Sequence, residues 1–580
     1  MRSLPSIHKP PATLLAFSWL FLISVAALYA QSPTARTTSQ NRGKTNPSAE
    51  EASSKNDVEH TALLRKADDG GVGLPSVAGE RLALSIGASM SGAKIDRNIF
   101  GQFAEHLGHG IYDGIWVGQD SSIPNTRGIR NDVVAALKAI KVPNVRWPGG
   151  CFADEYHWRN GIGQQRVVTL NPNWGGVIEP NTFGTHEFMD FIEQIGSDAY
   201  ISVNLGSGTV REAAEWLEYM TAAQPTSLEK ERAANGHPNP YKVARLGVGN
   251  ESWDCGGNMS PEYYLDQLKK YSHFVRNYNP EQQGKDQMLK IAVGPGGGEA
   301  RWTDWTQAIM KAYQNHSWSW DIDGLSLHNY TVVNWQHKFA AVGFGESEYA
   351  QFLKATLAMD DLIRAHSAIM DQYDPEKKVA LIVDEWGSWY APTPGTNPGF
   401  LVQQNSIRDA ILAALNLNIF ARHADRVRGA NIAQMINVLQ AMILTDKEKM
   451  VLTPTYYVFK MYVPFQDATF IPVTFDSGTY TYGGVTLPRI DALAARDTAG
   501  KLWLEITNLD PNQSVEVEAN MQGSSVKSAK GQTLTAPRVD SVNTFDSPNT
   551  VAPKPATVKT QAGKLVLELQ PKSVTVVSIE

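Results

Sequence analysis

Between Asn98 and about Met435 the chain repeats one pattern eight times: a short apolar run, then a longer segment with helical periodicity. That alternation implies a parallel sheet whose crossovers are helices. The runs are Asn98 to His106, Val142 to Pro148, Ala199 to Gly206, Ala244 to Glu251, Lys290 to Pro295, Gly324 to Tyr330, Val379 to Trp386 and Gly429 to Met435. Helical stretches between them include Asp132 to Ile140, His186 to Ile195, Val210 to Met220, Pro261 to Tyr278, Glu348 to Tyr373 and Ile407 to Ala424. Eight such units predict a (β/α)8 TIM barrel of the α/β class, with reactive side chains at the C-terminal strand ends. An open doubly wound sheet is the alternative, but no G-x-G-x-x-G fingerprint follows a strand.

After about Val451 the texture becomes short alternating β-rich runs, such as Leu502 to Asn508, Ser514 to Glu518 and Lys564 to Leu569, broken by Gly, Pro, Asp and Asn. This predicts an additional C-terminal β-sandwich. Arg81 to Ile86 alternates in the same way and is expected to join it, tying the two ends of the chain together. Near the N-terminus, Arg2 and Lys9 precede an apolar stretch from Leu14 to Ala27 that ends in Ala-Leu-Tyr-Ala-Gln-Ser. That reads as a secretory signal peptide cleaved near Ala30, placing the protein in the secreted or periplasmic class; an uncleaved membrane anchor is the alternative. No later segment is apolar enough to span a membrane. The expected division is therefore a signal peptide over 1–30, a polar, aromatic-poor tether over 31–75, a strand segment over 76–97, a catalytic barrel over 98–448 and a β-sandwich over 449–580.

A net charge of -7 in 580 residues carries no footprint for nucleic acid, and with 42% hydrophobic residues the chain has ample material for a core. Fifteen Trp and 20 Tyr suit sugar binding, because a ring face packs on the C–H face of a sugar, although core filling accounts for most of them. Two cysteines, Cys151 and Cys255, do not make a disulfide scaffold. They stand just beyond strands two and four on one face, so either a single bridge over the site or two free thiols is open.

The strand ends carry the chemistry. Glu251 closes the fourth run and Glu385 the seventh, and on a closed barrel those ends face one another across the mouth. Two carboxylates so placed suggest glycoside hydrolysis, in which one carboxyl group protonates the leaving oxygen and the other attacks the sugar carbon or activates water. Asn250 stands next to Glu251. The first strand offers Glu105, His106 and His109, and the sixth offers His328 and Tyr330. Arg146 lies inside the apolar second strand and needs a buried partner, for which Glu385 is a candidate. Pro148-Gly149-Gly150 forces a turn that lets backbone approach a ligand, whereas Gly294 to Gly298 reads only as a loop because no Gly-Lys-Ser/Thr follows it. No H-E-x-x-H or C-x-x-C spacing supports a metal, and no organic cofactor is expected.

These motifs resemble the α-L-arabinofuranosidases of glycoside hydrolase family 51: Phe-Gly-Gln-Phe-Ala-Glu-His-Leu-Gly, Arg-Trp-Pro-Gly-Gly-Cys-Phe-Ala-Asp-Glu, Gly-Val-Gly-Asn-Glu-Ser-Trp, Leu-Ser-Leu-His-Asn-Tyr, Val-Asp-Glu-Trp-Gly and Ala-Asn-Ile-Ala-Gln-Met-Ile-Asn-Val. The resemblance runs from about Ala83 to the C-terminus with the motifs in the family's order. It implies a retaining exo-glycosidase that removes terminal non-reducing α-L-arabinofuranose from plant oligo- or polysaccharides, with Glu251 as acid/base and Glu385 as nucleophile. It also implies sugar contacts from Glu105, Asn250, Gln434 and Trp174, and positioning of the nucleophile region by His328 and Tyr330. Cys151 stands at a sugar-contacting position where many members carry Asn. Family members are often oligomers, so a homo-oligomer is expected by analogy alone. Alternatives are an endo-β-1,4-glucanase or xylosidase on the same barrel, and a catalytically silent carbohydrate-binding protein.

Overall fold

A computed structural model describes residues 81–297 and 301–580. The expected signal peptide, the tether and the first residues of the joining segment lie outside them. Eight parallel strands close into a barrel in the order of the chain: β1 (Gly101–Phe103), β2 (Asn144–Trp147), β3 (Asp198–Val203), β4 (Arg245–Val248), β5 (Leu289–Ala292), β6 (Gly324–Thr331), β7 (Ala380–Ser388) and β8 (Val427–Ile432), with β8 pairing back onto β1. Around them run α1 (Asn131–Ala139), α2 (Thr185–Ile195), α3 (Val210–Thr221), α4 (Pro261–Phe274), α5 (Arg301–Gln314), α6 (Glu346–Tyr373), α7 (Ile407–Arg422) and α8 (Pro454–Met461). Their starts are built as the local chemistry dictates. Thr209, Ser260, Ser406 and Thr453 each accept a backbone N–H of the first turn, and Pro occupies the first position of α4 and α8, where its missing N–H is not needed.

All eight predicted strands are present; most are shorter than read, whereas β6 and β7 run one and two residues further. Residues Arg97–Phe100 form a 3-10 turn capped by Asp96, leaving only Gly101–Phe103 as the first strand. Glycine is required at 101, because a Cβ there would lie 2.7 Å from the Ala430 carbonyl oxygen where β8 returns to close the barrel.

The sandwich pairs a five-stranded sheet, in the order Val473–Phe475, Arg81–Ile86, Val515–Met521, Lys564–Leu569 and Thr557–Gln561, with a six-stranded sheet centred on Leu502–Asn508 and Ser573–Ile579. Arg81–Ile86 pairs parallel to Val515–Met521 and contributes Leu82, Leu84 and Ile86 to a core separate from that of the barrel. The eighth barrel helix falls beyond residue 448, and the first sandwich strand starts at Thr469. We therefore place the junction between 461 and 469. Helix α7 is buried over nearly its whole length, because it is covered by the barrel on one side and by the sandwich on the other. No helix of the described residues is long and apolar enough to cross a membrane.

Candidate active site

A cavity of about 550 Å³ opens at the C-terminal ends of the barrel strands. It is lined by Glu105, Cys151, Trp174, Glu251, His328, Tyr330, Glu385 and Gln434, side chains that the sequence had scattered over some 330 residues. Barrel closure is what brings them together.

Glu385 lies on β7, whose nine residues are all buried. Its Oε1 accepts from Arg146 Nη1 at 2.7 Å and its Oε2 from the Tyr330 hydroxyl at 2.8 Å. Arg146 is itself buried in β2, and Nη2 donates to Asn250 Oδ1 at 2.6 Å. The buried arginine thus holds the predicted partner and a second one. Asn250 sits beneath the cavity floor, with its backbone N–H donating to Asp154.

His328 is paired side by side with Glu385 across the β6–β7 ladder, which slips in register just before it. A second slip follows Val383 on the other edge of β7. Irregularities of this kind re-aim side chains next to active sites. Here they let two successive residues reach one imidazole: Nε2 lies 3.0 Å from Asp384 Oδ1, and Nδ1 lies 3.5 Å from Glu385 Oε1. The same Nδ1 is 2.9 Å from Glu251 Oε1. Burial opposes charge on His328, but the carboxylates of Glu385 and Asp384 outweigh it and push its pKa up to about 10.

Glu251 follows β4 with φ of 36°, a left-handed conformation that in a non-glycine residue costs on the order of 1–3 kcal/mol and persists only where surrounding structure enforces it. Burial first, and then the charge of Glu385, raise its carboxyl above the usual range; the contacts to His328 pull it partly back. Glu105 is held by four donors: the backbone N–H groups of Gly150 and Phe152, Trp174 Nε1 at 2.9 Å and Gln434 Nε2 at 2.9 Å. Even so, burial and Glu385 lift it to about 7. Gly149 must be glycine here, since a Cβ would meet Glu105 Cγ at 2.5 Å.

The cysteines form a disulfide across 104 residues, tying the loop after β2 to the loop after β4 at the cavity rim. His106 lies under the site against Glu179, and His109 is half exposed beside Asp113; neither lines the cavity. Asp384 was missed, as were Trp253, Trp335 and Trp389, which wall the cavity from outside the helices, and Trp302, which walls it from the first turn of α5. Gly296 and Gly297, expected to be plain loop, belong to that wall, with Gly296 packed against Trp253. Their signal was a Trp or Gly just past a strand end, too common in sequence to be singled out.

A closed (β/α)8 barrel that presents two strand-end glutamates, a sugar-sized cavity and aromatic walls defines a glycoside hydrolase. Family models for the α-L-arabinofuranosidase 1 domain and the α-L-arabinofuranosidase C-terminal domain match residues 136–330 and 384–573. An intracellular exo-α-L-arabinofuranosidase of Bacteroides ovatus is 44% identical over 84% of this chain and 93% of its own. The crystal structure of the family 51 arabinofuranosidase from Xanthomonas axonopodis pv. citri superposes with a TM-score of 0.83 at 49% identity, covering 86% of this chain and all of that one. That of an α-L-arabinofuranosidase from Thermotoga maritima in complex with arabinose gives 0.74 at 29% identity, with the same coverage. The chain belongs to glycoside hydrolase family 51, the α-L-arabinofuranosidases.

One expectation is overturned. The secreted or periplasmic location, with a signal peptide cleaved near Ala30, conflicts with the Bacteroides ovatus relative, whose name places it inside the cell. An apolar stretch behind two basic residues is a hydropathy pattern only, and it does not by itself specify export.

Proposed function

We propose that the enzyme removes terminal non-reducing α-L-arabinofuranosyl residues from arabinose-containing oligo- or polysaccharides with retention of configuration. The observation that carries this reading is the closeness of the two carboxylates: an oxygen of Glu251, an oxygen of Glu385 and a nitrogen of His328 all lie within 4.8 Å of one another. Retaining enzymes hold their carboxyl groups about 5–5.5 Å apart, whereas inverting ones need about 6.5–9.5 Å to admit a water between them.

In this reading Glu385 is the nucleophile. Arg146 and Tyr330 each donate to one of its two oxygens and fix the carboxyl group for attack on the sugar carbon. Glu251, raised by burial and by Glu385, keeps its proton for the leaving oxygen. Once the arabinosyl ester has formed, the charge on Glu385 is gone, so Glu251, its proton already given to the leaving oxygen, stays ionised and takes a proton from the water that makes the second displacement. Glu105 and Gln434 face the sugar. The Gln434 Oε1 is buried without a protein partner, an acceptor suited to a sugar hydroxyl. Exo action is supported by the relative's name.

The test is hydrolysis of nitrophenyl α-L-arabinofuranoside against the β-D-xyloside and carboxymethylcellulose, with the anomer formed followed by NMR. The expected result is preference for the arabinofuranoside and initial release of α-L-arabinofuranose. Initial release of the β-anomer overturns retention, and cutting of cellulose alone overturns the substrate.

A further inference from the structure

The disulfide leaves a feature that the reaction does not use. Glu251 divides its oxygens: Oε1 meets His328, and Oε2 faces away from it, 3.6 Å from Cys255 Sγ. Both sulfurs and a Glu251 oxygen lie within 4.8 Å of one another, and all three residues are partly exposed at the cavity rim. The backbone already holds the two cysteine Cα atoms 5.5 Å apart.

We propose that reduction of Cys151–Cys255 converts this rim into a dithiol–carboxylate site for a thiophilic divalent cation such as Zn2+, and that a bound cation stops hydrolysis by sequestering Glu251. A small dithiol supplies the two electrons and two protons. The S–S bond breaks, two S–H groups form, and the reagent closes into its own cyclic disulfide. The cation then displaces both thiol protons into solvent and bonds two thiolates at about 2.3 Å and Glu251 Oε2 at about 2.0–2.2 Å. Two thiolates bonded this way stand about 3.7 Å apart around a tetrahedral ion, a separation that side-chain rotation provides. A fourth position faces the cavity and takes water. Thiolates select Zn2+ over the hard cations Mg2+ and Ca2+, which prefer oxygen donors. The neighbouring His328 does not compete, because both of its ring nitrogens already meet carboxylate oxygens, Oε1 of Glu251 among them. The inhibitory half rests on the acid/base role proposed for Glu251; the binding half does not.

The experiment uses the full chain. Protein is reduced with dithiothreitol and freed of it under argon. Its thiols are counted, and it is titrated with Zn2+ for calorimetry and with Co2+ for thiolate-to-metal absorption. The expected outcome is two thiols and one cation per reduced chain, with hydrolysis lowered at least tenfold and restored by EDTA. The oxidised protein should neither bind nor respond, and reduced Cys255→Ser should lose stoichiometric binding and the Co2+ band. A bridge that stays closed in the folded protein overturns the proposal. So does reduced protein that binds no better than oxidised, or Cys255→Ser that binds as tightly as reduced wild type. Stoichiometric binding with undiminished hydrolysis overturns the inhibitory half; loss of turnover in metal-free Glu251→Ala tests the acid/base role separately.

Discussion

Two buried polar clusters invite comparison, one at the barrel mouth and the other at the seam between α7 and the sandwich. At the seam, Asn418 donates to Asp491 at 2.9 Å and to Glu505 at 2.7 Å, Thr507 donates to the other Glu505 oxygen, and Tyr462 donates to Asn418. Burial pushes Glu505 up to about 8, just as burial and Glu385 push Glu105 up to about 7. By burial and titration the clusters are alike. They differ in what they face. Both Glu505 oxygens are taken by neighbours in a packed interface, while the mouth presents two carboxylates within 4.8 Å to a cavity. A shifted pKa therefore marks desolvation, and only the cavity and the pairing mark chemistry.

The largest difference should appear on truncating one carboxylate of each cluster. Glu385→Ala is expected to lower turnover by about 10⁴-fold or more while leaving arabinose binding measurable by calorimetry, because it removes the proposed nucleophile. Unchanged hydrolysis would remove Glu385 from that role. Next in size, Arg146→Met should destabilise the fold by about 3–5 kcal/mol in denaturant titration, since the buried Glu385 and Asp384 would lose their guanidinium and keep only His328 beside them. A loss below about 1 kcal/mol would mean that these charges are solvated despite their burial. Smallest is Glu505→Gln at the seam, expected to leave kcat within about twofold.

Its readout is the pH dependence of stability. The folded pKa of Glu505 is raised from 4.5 to about 8, so the neutral form is the one the fold prefers. That contribution is fully present below the unfolded value and is lost as pH rises from about 4.5 through 8. Glutamine, always neutral, should flatten this decline; an unchanged slope would show that Glu505 is ionised in the fold.

How much could be read from the chain varied with the range of the interaction involved. The eight strands and the sandwich were legible, because apolar periodicity and turn residues are local: barrel strands such as β2 and β7 are buried on both faces, and sandwich strands such as Arg81–Ile86 on one. Helix α5 was not singled out, although Trp302, Trp305, Ile309 and Tyr313 stand at helical spacing behind a Gly-rich lead. Glu251 and Glu385 were legible as strand-end carboxylates. Asp384 was not: side chains alternate along a strand, so a residue next to Glu385 should face away, and only the register slips bring both to His328. The partner of Arg146 could be named from charge alone, because a buried guanidinium must be paired.

The sequence by itself determined the elements, the two-part architecture and the pair of glutamates, which follow from spacing along the chain, and the family, which follows from the resemblance of its strand-end motifs. The tertiary structure alone decided that the glutamates come within 4.8 Å, that one imidazole bridges them with Asp384, and that one of the two open cysteine alternatives, the bridge, lies beside Glu251. Those distances depend on how β8 closes onto β1 and where the ladders slip, which are sums over contacts hundreds of residues apart and have no local signature.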